Sequence, residues 1–297
     1  MPEVRLDTFE VDDSNKFAVA LCKALVNLEK GYSPLFLHGE PGSGKTHLLS
    51  AVTTELALAH PNLSLLNIAH DVPIENVFGE NSDSNGDFES VARELGRKDI
   101  LIVDDFERIT EDSTVRKRFA SLFNTFVDSG KQILIASSQP IKDIRGFDKR
   151  FIGRLRGGID AHLAPPRPET RLKILKQECA RLGLKLNADI MQILMKEAGK
   201  NALYLRQLPS HLKTFATLNR ADLNKENVAE FLAVIREQVG EKKHTATAEE
   251  IFSSWIERRA KKREDDLQAT LKEYEQQMSS HEDQVGRMRR EMEQLAS

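Results

Sequence analysis

Eight consecutive residues, Gly39, Glu40, Pro41, Gly42, Ser43, Gly44, Lys45 and Thr46, read G-E-P-G-S-G-K-T. Glycines at these spacings let a backbone wrap a phosphate and aim its N–H groups inward, and a helix opening behind them adds its dipole. Lys45 supplies a charge for the β- and γ-phosphates, and the Thr46 hydroxyl is a ligand for Mg²⁺. A second acid-bearing element follows. The apolar run Ile100, Leu101, Ile102, Val103 ends in Asp104 and Asp105. Asp104 is placed to hold Mg²⁺ through water, and Asp105 to orient an attacking water. Asp105 is one methylene shorter than a glutamate, which points to slow hydrolysis and a switch more than a motor. A third run, 132–136, ends in Ser137 and Ser138 before Pro140. A polar residue there would lie between the other two elements and sense a γ-phosphate. Ser137 or Ser138 is the candidate, and a simple turn before the proline is the alternative. The basic stretch Lys149, Arg150, Arg154, Arg156 either solvates a helix face or offers Arg154 as an arginine finger to a neighbouring subunit's γ-phosphate. The chemistry is that of ATP or ADP with Mg²⁺.

These residues must be carried by a sheet. Apolar runs at 35–38, 64–68, 100–104, 132–136 and 159–163 alternate with helical patterns near 45–59, 87–96 and 113–129. Near-continuous apolar strands alternating with helices imply a five-stranded parallel sheet covered on both faces, an α/β fold. A further helix is expected after Ser14 and Asn15, ending at Gly31. The character changes at Ala164, Pro165, Pro166, Arg167 and Pro168. Helices near 168–182, 188–199, 208–219 and 225–239 follow, with no strand pattern. The expected organisation is a nucleotide-binding domain over 1–166, an all-α lid over 167–240 and a tail over 247–297. In the tail Leu267, Leu271, Tyr274, Met278, His281, Val285, Met288, Met292 and Leu295 alternate spacings of 4 and 3. That is a coiled-coil seam, or else a single solvated helix, with His281 a spacer in it.

The 297 residues carry a formal net charge of −3, which gives no global bias toward nucleic acid. No apolar run approaches the roughly 20 residues of a membrane helix, and the first residues lack a basic-then-apolar leader. Cys22 and Cys179 read as separate buried thiols. A cytoplasmic setting is expected.

The elements together resemble the AAA+ core of the bacterial replication initiator DnaA family, over about residues 6–235. Thr8-Phe9-Glu10-Val11 with Ser14-Asn15-Lys16-Phe17-Ala18 is similar to that family's T-F-x-x-F…S-N-x-F-A opening. Ser33-Pro34-Leu35-Phe36-Leu37-His38-Gly39 through Lys45-Thr46-His47-Leu48-Leu49 resembles its P-loop signature, the His47 included. Arg154-Leu155-Arg156-Gly157-Gly158-Ile159 resembles its finger motif, and Pro165-Pro166-Arg167-Pro168-Glu169-Thr170-Arg171 its lid entrance. The resemblance implies that Phe9, Val11, Asn15 and His47 join the loop around the nucleotide. It also implies a sensor arginine opening the third lid helix within N-V-R-E-L. Leu205-Arg206-Gln207-Leu208 fits, but Pro209 belongs in a first helical turn and puts Arg206 just before the helix.

Two departures shape the expected function. The stretch 71–87, which matches the family's grip on single-stranded DNA, has no Lys or Arg, so phosphates would be repelled. Heptads stand where the family carries its helix-turn-helix reader of duplex DNA. The resemblance therefore implies an ATP switch in replication initiation or its control. It would act through self-association by the core and the tail, and through replication proteins such as the initiator or helicase. Direct DNA contact would be weak or absent. The competing reading is a helicase-loader or transposition-helper ATPase that meets nucleic acid through Arg258, Arg259, Lys261, Lys262 and Arg263. A third is a coiled-coil scaffold with a vestigial ATPase, against which Lys45, Thr46 and Asp104 stand.

Overall fold

The computed structural model describes residues 4–69, 72, 77–78, 92–219 and 223–239, together with 261, 264, 267–268, 270–272, 276 and 278. Five strands form one parallel sheet: β1 (Leu35–His38), β2 (Leu65–Ile68), β3 (Ile100–Val103), β4 (Gln132–Ser137) and β5 (Ile159–His162). Their spatial order is β2-β3-β4-β1-β5, so the strand that feeds the phosphate loop lies inside the sheet. The helices whose full bounds are described are α1 (Lys16–Val26), α2 (Lys45–Ala59), α3 (Glu107–Glu111), α4 (Ser113–Asp128), α5 (Lys149–Arg156), α6 (Pro168–Arg181), α7 (Ala188–Ala198), α8 (Ala202–Asn219) and α9 (Lys225–Val239).

The inner strands β1, β3 and β4 are apolar over most of their length because both faces are covered, while the edge strands β2 and β5 alternate with the exposed Asn67, Asp160 and His162. Leu35, Leu37, Ile100, Ile102, Leu134 and Ala136 bury one face with Leu21 and Leu25 of α1 and Leu48 and Val52 of α2. The alternate residues Phe36, Leu101, Val103, Ile133 and Ile135 bury the other with α4 and α5. That second core is aromatic. The Phe119 ring centroid lies 5.4 Å from Phe106 and 6.1 Å from Phe151, and Phe147 stacks on Phe151 at 4.0 Å. Phe106 directly follows Asp105, so this cluster anchors the turn that carries the acid. Asp112 caps α4 by accepting from the N–H groups of Thr114 and Val115, and Asp148 caps α5 through the Phe151 N–H.

Strand ends converge on one edge of the sheet. Leu37 pairs with Ala136 and His38 with Ser137, while Val103 pairs with Ile135. The Asp104 N–H reaches Ile68 O at 2.9 Å, and the Phe106 N–H reaches Ala136 O at 3.0 Å. Asp104 and Asp105, Ser137 and the residues after His38 thus share the carboxyl edge, where open α/β sheets bind ligands.

The described residues fall into two compact units, Met1–Ser210 and His211–Ser297. Helices α6, α7 and the first half of α8 belong with the sheet. In the second unit Phe215 and Phe231 are buried, their rings 5.0 Å apart. The expected third lid helix near 208–219 begins six residues earlier, at Ala202, and Pro209 lies inside it. Proline cannot donate to the carbonyl four residues back and costs about 3 kcal/mol in a helix interior. Asn201 starts the helix regardless, its Oδ1 accepting from Tyr204 N–H at 3.0 Å, and Leu205, Leu208 and Leu212 are fully buried along it. Packing overrides the proline. Arg206 accordingly lies within the helix, not just before it.

In the tail the described positions are α-helical, with Leu267, Leu271 and Met278 exposed. The rest of the heptad seam lies outside the described residues, as do 240–245 and most of 71–87. Of the basic cluster only Lys261 is described. Cys22 and Cys179 are free and buried, and burial pushes their thiols up to about 12 and about 11. No helix among the described residues is long and apolar enough to cross a membrane.

Candidate nucleotide-binding site

A cavity of about 440 Å³ opens at the carboxyl edge of the sheet. Pro41, Gly42, Ser43, Gly44, Lys45, Thr46 and His47 form one wall, with Asp105 beside them. Phe9, Glu10 and Asn15 close a second side, and Pro166, Ile174, Leu203 and Arg206 a third. The loop's shape depends on its glycines. Gly44 ends it at φ +104° and opens α2. At Gly39 a Cβ would come within 2.2 Å of Leu163 O, and at Gly42 within 2.4 Å of Asn201 Oδ1. Neither position has room for a side chain. The Ala202 N–H donates to Gly42 O at 2.9 Å, so the start of α8 is fastened to the loop.

Lys45 is 7% exposed, and its Nζ donates to Gly39 O at 2.7 Å and Glu40 O at 3.2 Å. Burial lowers its pKa, and the carboxylates of Glu107, Asp104 and Asp105 oppose that shift. The Ser43 hydroxyl is buried without a hydrogen-bond partner, as is His47 Nε2. Orphaned buried polar atoms in a phosphate-type loop fit an anionic ligand. His47 stacks on Phe9, ring centroids 5.6 Å apart. Burial, with Arg206 nearby, pushes its pKa down to about 4, so it is neutral at pH 7.

The N-terminal segment is pinned from within. Asn15 is 3% exposed, donates from Nδ2 to Glu10 O at 3.0 Å and accepts from Asp12 N–H at 2.9 Å. Asp12 in turn accepts from the N–H groups of Ser14 and Arg167. Burial would raise its pKa, but hydrogen bonds from Ser14, Thr170 and Arg167 outweigh that and hold it at about 2. The backbone at Arg167 is thereby tied to the segment that bears Phe9.

Asp105 turns out of β3 in the left-handed region, φ +47°, which aspartate tolerates better than most residues. That turn brings it to the cavity wall. Asp104 is 5% exposed, its Oδ1 accepting from Asp105 N–H at 3.0 Å. With Thr46 at the head of α2, these oxygen donors suit a magnesium ion that keeps waters and phosphate oxygens in its shell.

Several sequence-derived candidates lie elsewhere. Val11 is 45% exposed and off the cavity wall, and Gly39 and Glu40 contribute only the carbonyls that hold Lys45. Ser138 is also off the wall. Its hydroxyl donates to Glu107 Oε1 at 2.8 Å, which also accepts from Ser137 Oγ at 2.6 Å and from the Ser138 and Gln139 N–H groups. Glu107 was not among the expected site residues. Its only sequence signal is an acid two positions after Asp105. Burial raises the pKa of this carboxylate, but the bonds from Ser137 and Ser138 prevail and hold it below its ordinary value. A lowered carboxylate pKa contributes stability that is present above the unfolded value and lost as pH falls through the folded one. Glu107→Ala is therefore expected to lower unfolding free energy by about 2–3 kcal/mol at pH 7. In urea titrations the two proteins should converge as the pH drops below the carboxylate range.

Arg154 does not line its own chain's cavity. Its Nη1 reaches Asn124 Oδ1 and Asp128 Oδ1 of α4, each at 2.9 Å.

Residues 2–162, more than half of the chain, match the family model of the bacterial DnaA ATPase domain. The chain belongs to the DnaA ATPase-domain family. Its relatives include the DnaA initiator of Caldanaerobacter subterraneus, 30% identical over 227 residues that cover 76% of this chain and 51% of the relative. The DnaA of Campylobacter jejuni is 27% identical over 257 residues, covering 85% and 56%. The chain spans about half the length of these curated relatives. Among solved structures, domain III of Thermotoga maritima DnaA aligns with a TM-score of 0.68 at 26% identity, covering 77% of this chain and 95% of that one. AMPPCP-bound DnaA from Aquifex aeolicus shares the fold, with a TM-score of 0.58 at 22% identity over 89% and 93%.

Asn201 caps α8, and Leu203 follows in its first turn. Arg206 lies one turn further along the same face, and both line the cavity.

Proposed function

We propose that this DnaA-family chain is an ATP-binding switch in the initiation of chromosomal replication or its regulation, read out by self-association and partner binding. The supporting observation is the single cavity that unites the phosphate loop, Asp105, the N-terminal Phe9 and Asn15, and the lid residue Arg206. Lys45 and the loop N–H groups hold the phosphates of ATP or ADP. Thr46 and Asp104 would hold Mg²⁺, which would supply neutralisation of phosphate charge, and Asp105 would orient water for a slow hydrolysis. Arg206 reports the terminal phosphate from the lid.

Arg154 serves a neighbouring subunit. The pair Asn124 and Asp128 holds its guanidinium on α4, away from its own nucleotide. The core mediates assembly, the tail adds a second contact, and replication proteins are the partners. Arg154→Ala is expected to bind Mg-ATP with wild-type affinity yet lose ATP-dependent self-association in sedimentation velocity. Assembly unchanged by the substitution would leave Arg154 a surface charge.

A further inference from the structure

Glu178 lies in the third turn of α6, outside the cavity wall, with its side chain 11% exposed. Its carboxylate is divided between two guanidinium groups. Oε1 accepts from Arg206 Nη1 at 2.9 Å, and Oε2 accepts from Arg181 Nε at 2.7 Å. A carboxylate this buried is stable only with such partners. Arg206 is the member of the trio that faces the cavity. Burial lowers its pKa, and Glu178 is the first influence that opposes the shift.

The placement of Arg206 makes this contact consequential. It rises from the second turn of α8, one turn deeper than the helix start, and Leu203 occupies that start. From there a long side chain has many rotamers, and only some reach a ligand on the loop. A guanidinium is planar, with five N–H groups in a fixed fork, so a bond at one nitrogen sets the direction of the others. Glu178 supplies that bond from an adjacent helix of the lid. Arg181 takes the other oxygen, which stops the carboxylate from rotating away.

We propose that Glu178 is a positioning residue that aims the Arg206 guanidinium at the terminal phosphate of a bound nucleoside triphosphate, and so sets the preference of the site for tri- over diphosphate. The proposal rests on the reading of the cavity as a nucleotide site.

The test is calorimetry with Mg-ATP and Mg-ADP on the full chain. The proteins are wild type, Glu178→Ala, Arg206→Ala, the double variant and Glu178→Gln. Glu178→Ala should weaken Mg-ATP about tenfold, the loss of one charge-assisted hydrogen bond, with Mg-ADP affinity within about twofold. Arg206→Ala should do the same, and the double variant should be no worse than either single change, because Glu178 acts only through Arg206. Glu178→Gln keeps the volume and an acceptor oxygen but removes the negative charge that the guanidinium pairs with, so it should lose about threefold in Mg-ATP alone. This variant carries the test if the alanine change impairs folding. Equal losses for the two nucleotides, additive losses in the double variant, or an unchanged ratio in Glu178→Gln would overturn the proposal. Wild type binding neither nucleotide would sink the nucleotide reading itself, a result distinct from all of these.

Discussion

Lys45→Ala should abolish the binding of both Mg-ATP and Mg-ADP. Lys45 is 7% exposed and its ammonium sits inside the loop, held by the carbonyls of Gly39 and Glu40. A unit charge about 4 Å from a phosphate oxygen near a protein surface is worth about 4 kcal/mol, or about a thousandfold in affinity. The loss should exceed that figure. Asp104, Asp105 and Glu107 all act on Lys45, and without its ammonium they would face the nucleotide's negative charge uncompensated. The fold should survive, because alanine is the better helix former at the head of α2. Calorimetry on the variant, with circular dichroism to confirm folding, checks this. Affinity within a few fold of wild type would remove the phosphate loop from the binding site.

Phe119→Ala should cost about 3–5 kcal/mol of unfolding free energy, the range for truncating a fully buried aromatic residue. Phe119 has no exposed surface and lies among five rings. Those of Phe106, Phe151, Phe78, Phe123 and Phe147 are within 5.4–6.4 Å of it. The aromatic neighbours are too rigid to close the cavity left behind, so little of the loss should be recovered by collapse. Two site features would loosen with it. Phe106 seats the left-handed turn at Asp105, and α4 presents the Asn124 and Asp128 that hold Arg154. Urea unfolding followed by far-UV signal measures the effect as a fall in midpoint at unchanged slope. A change below about 1 kcal/mol would mean that the cluster repacks freely, at odds with close packing of the interior.

The elements legible in the sequence are those whose signal is local. The phosphate loop needs its glycines, lysine and threonine within eight consecutive positions, so its identity and the helix it opens can be read directly. Helix α2 spans the expected 45–59, and α9 the expected 225–239. All five strands lie within one residue of their expected ends: burial on both faces leaves the inner ones largely apolar, and the edge strands still carry short apolar runs. What made Asp104 and Asp105 recognisable was equally local: two acids closing a buried strand.

The remainder was decided by contacts between distant segments. Strand count follows from pattern, but the order β2-β3-β4-β1-β5 depends on crossovers that no single window contains. Pro209 locally forbids a helix through it. Only the Asn201 cap docked on Gly42, together with the buried face of Leu205, Leu208 and Leu212, makes α8 run from Ala202 and carries Arg206 to the cavity. Glu107 and Glu178 are two further acids in a chain that holds 46 of them, and beyond the closeness of Glu107 to Asp105 nothing in their neighbourhoods marks them. They acquire roles because β4 ends beside α3 and because α6 packs where α8 can reach it. A carboxylate's effect depends on which donors surround it and how little water remains, and both are properties of the folded chain.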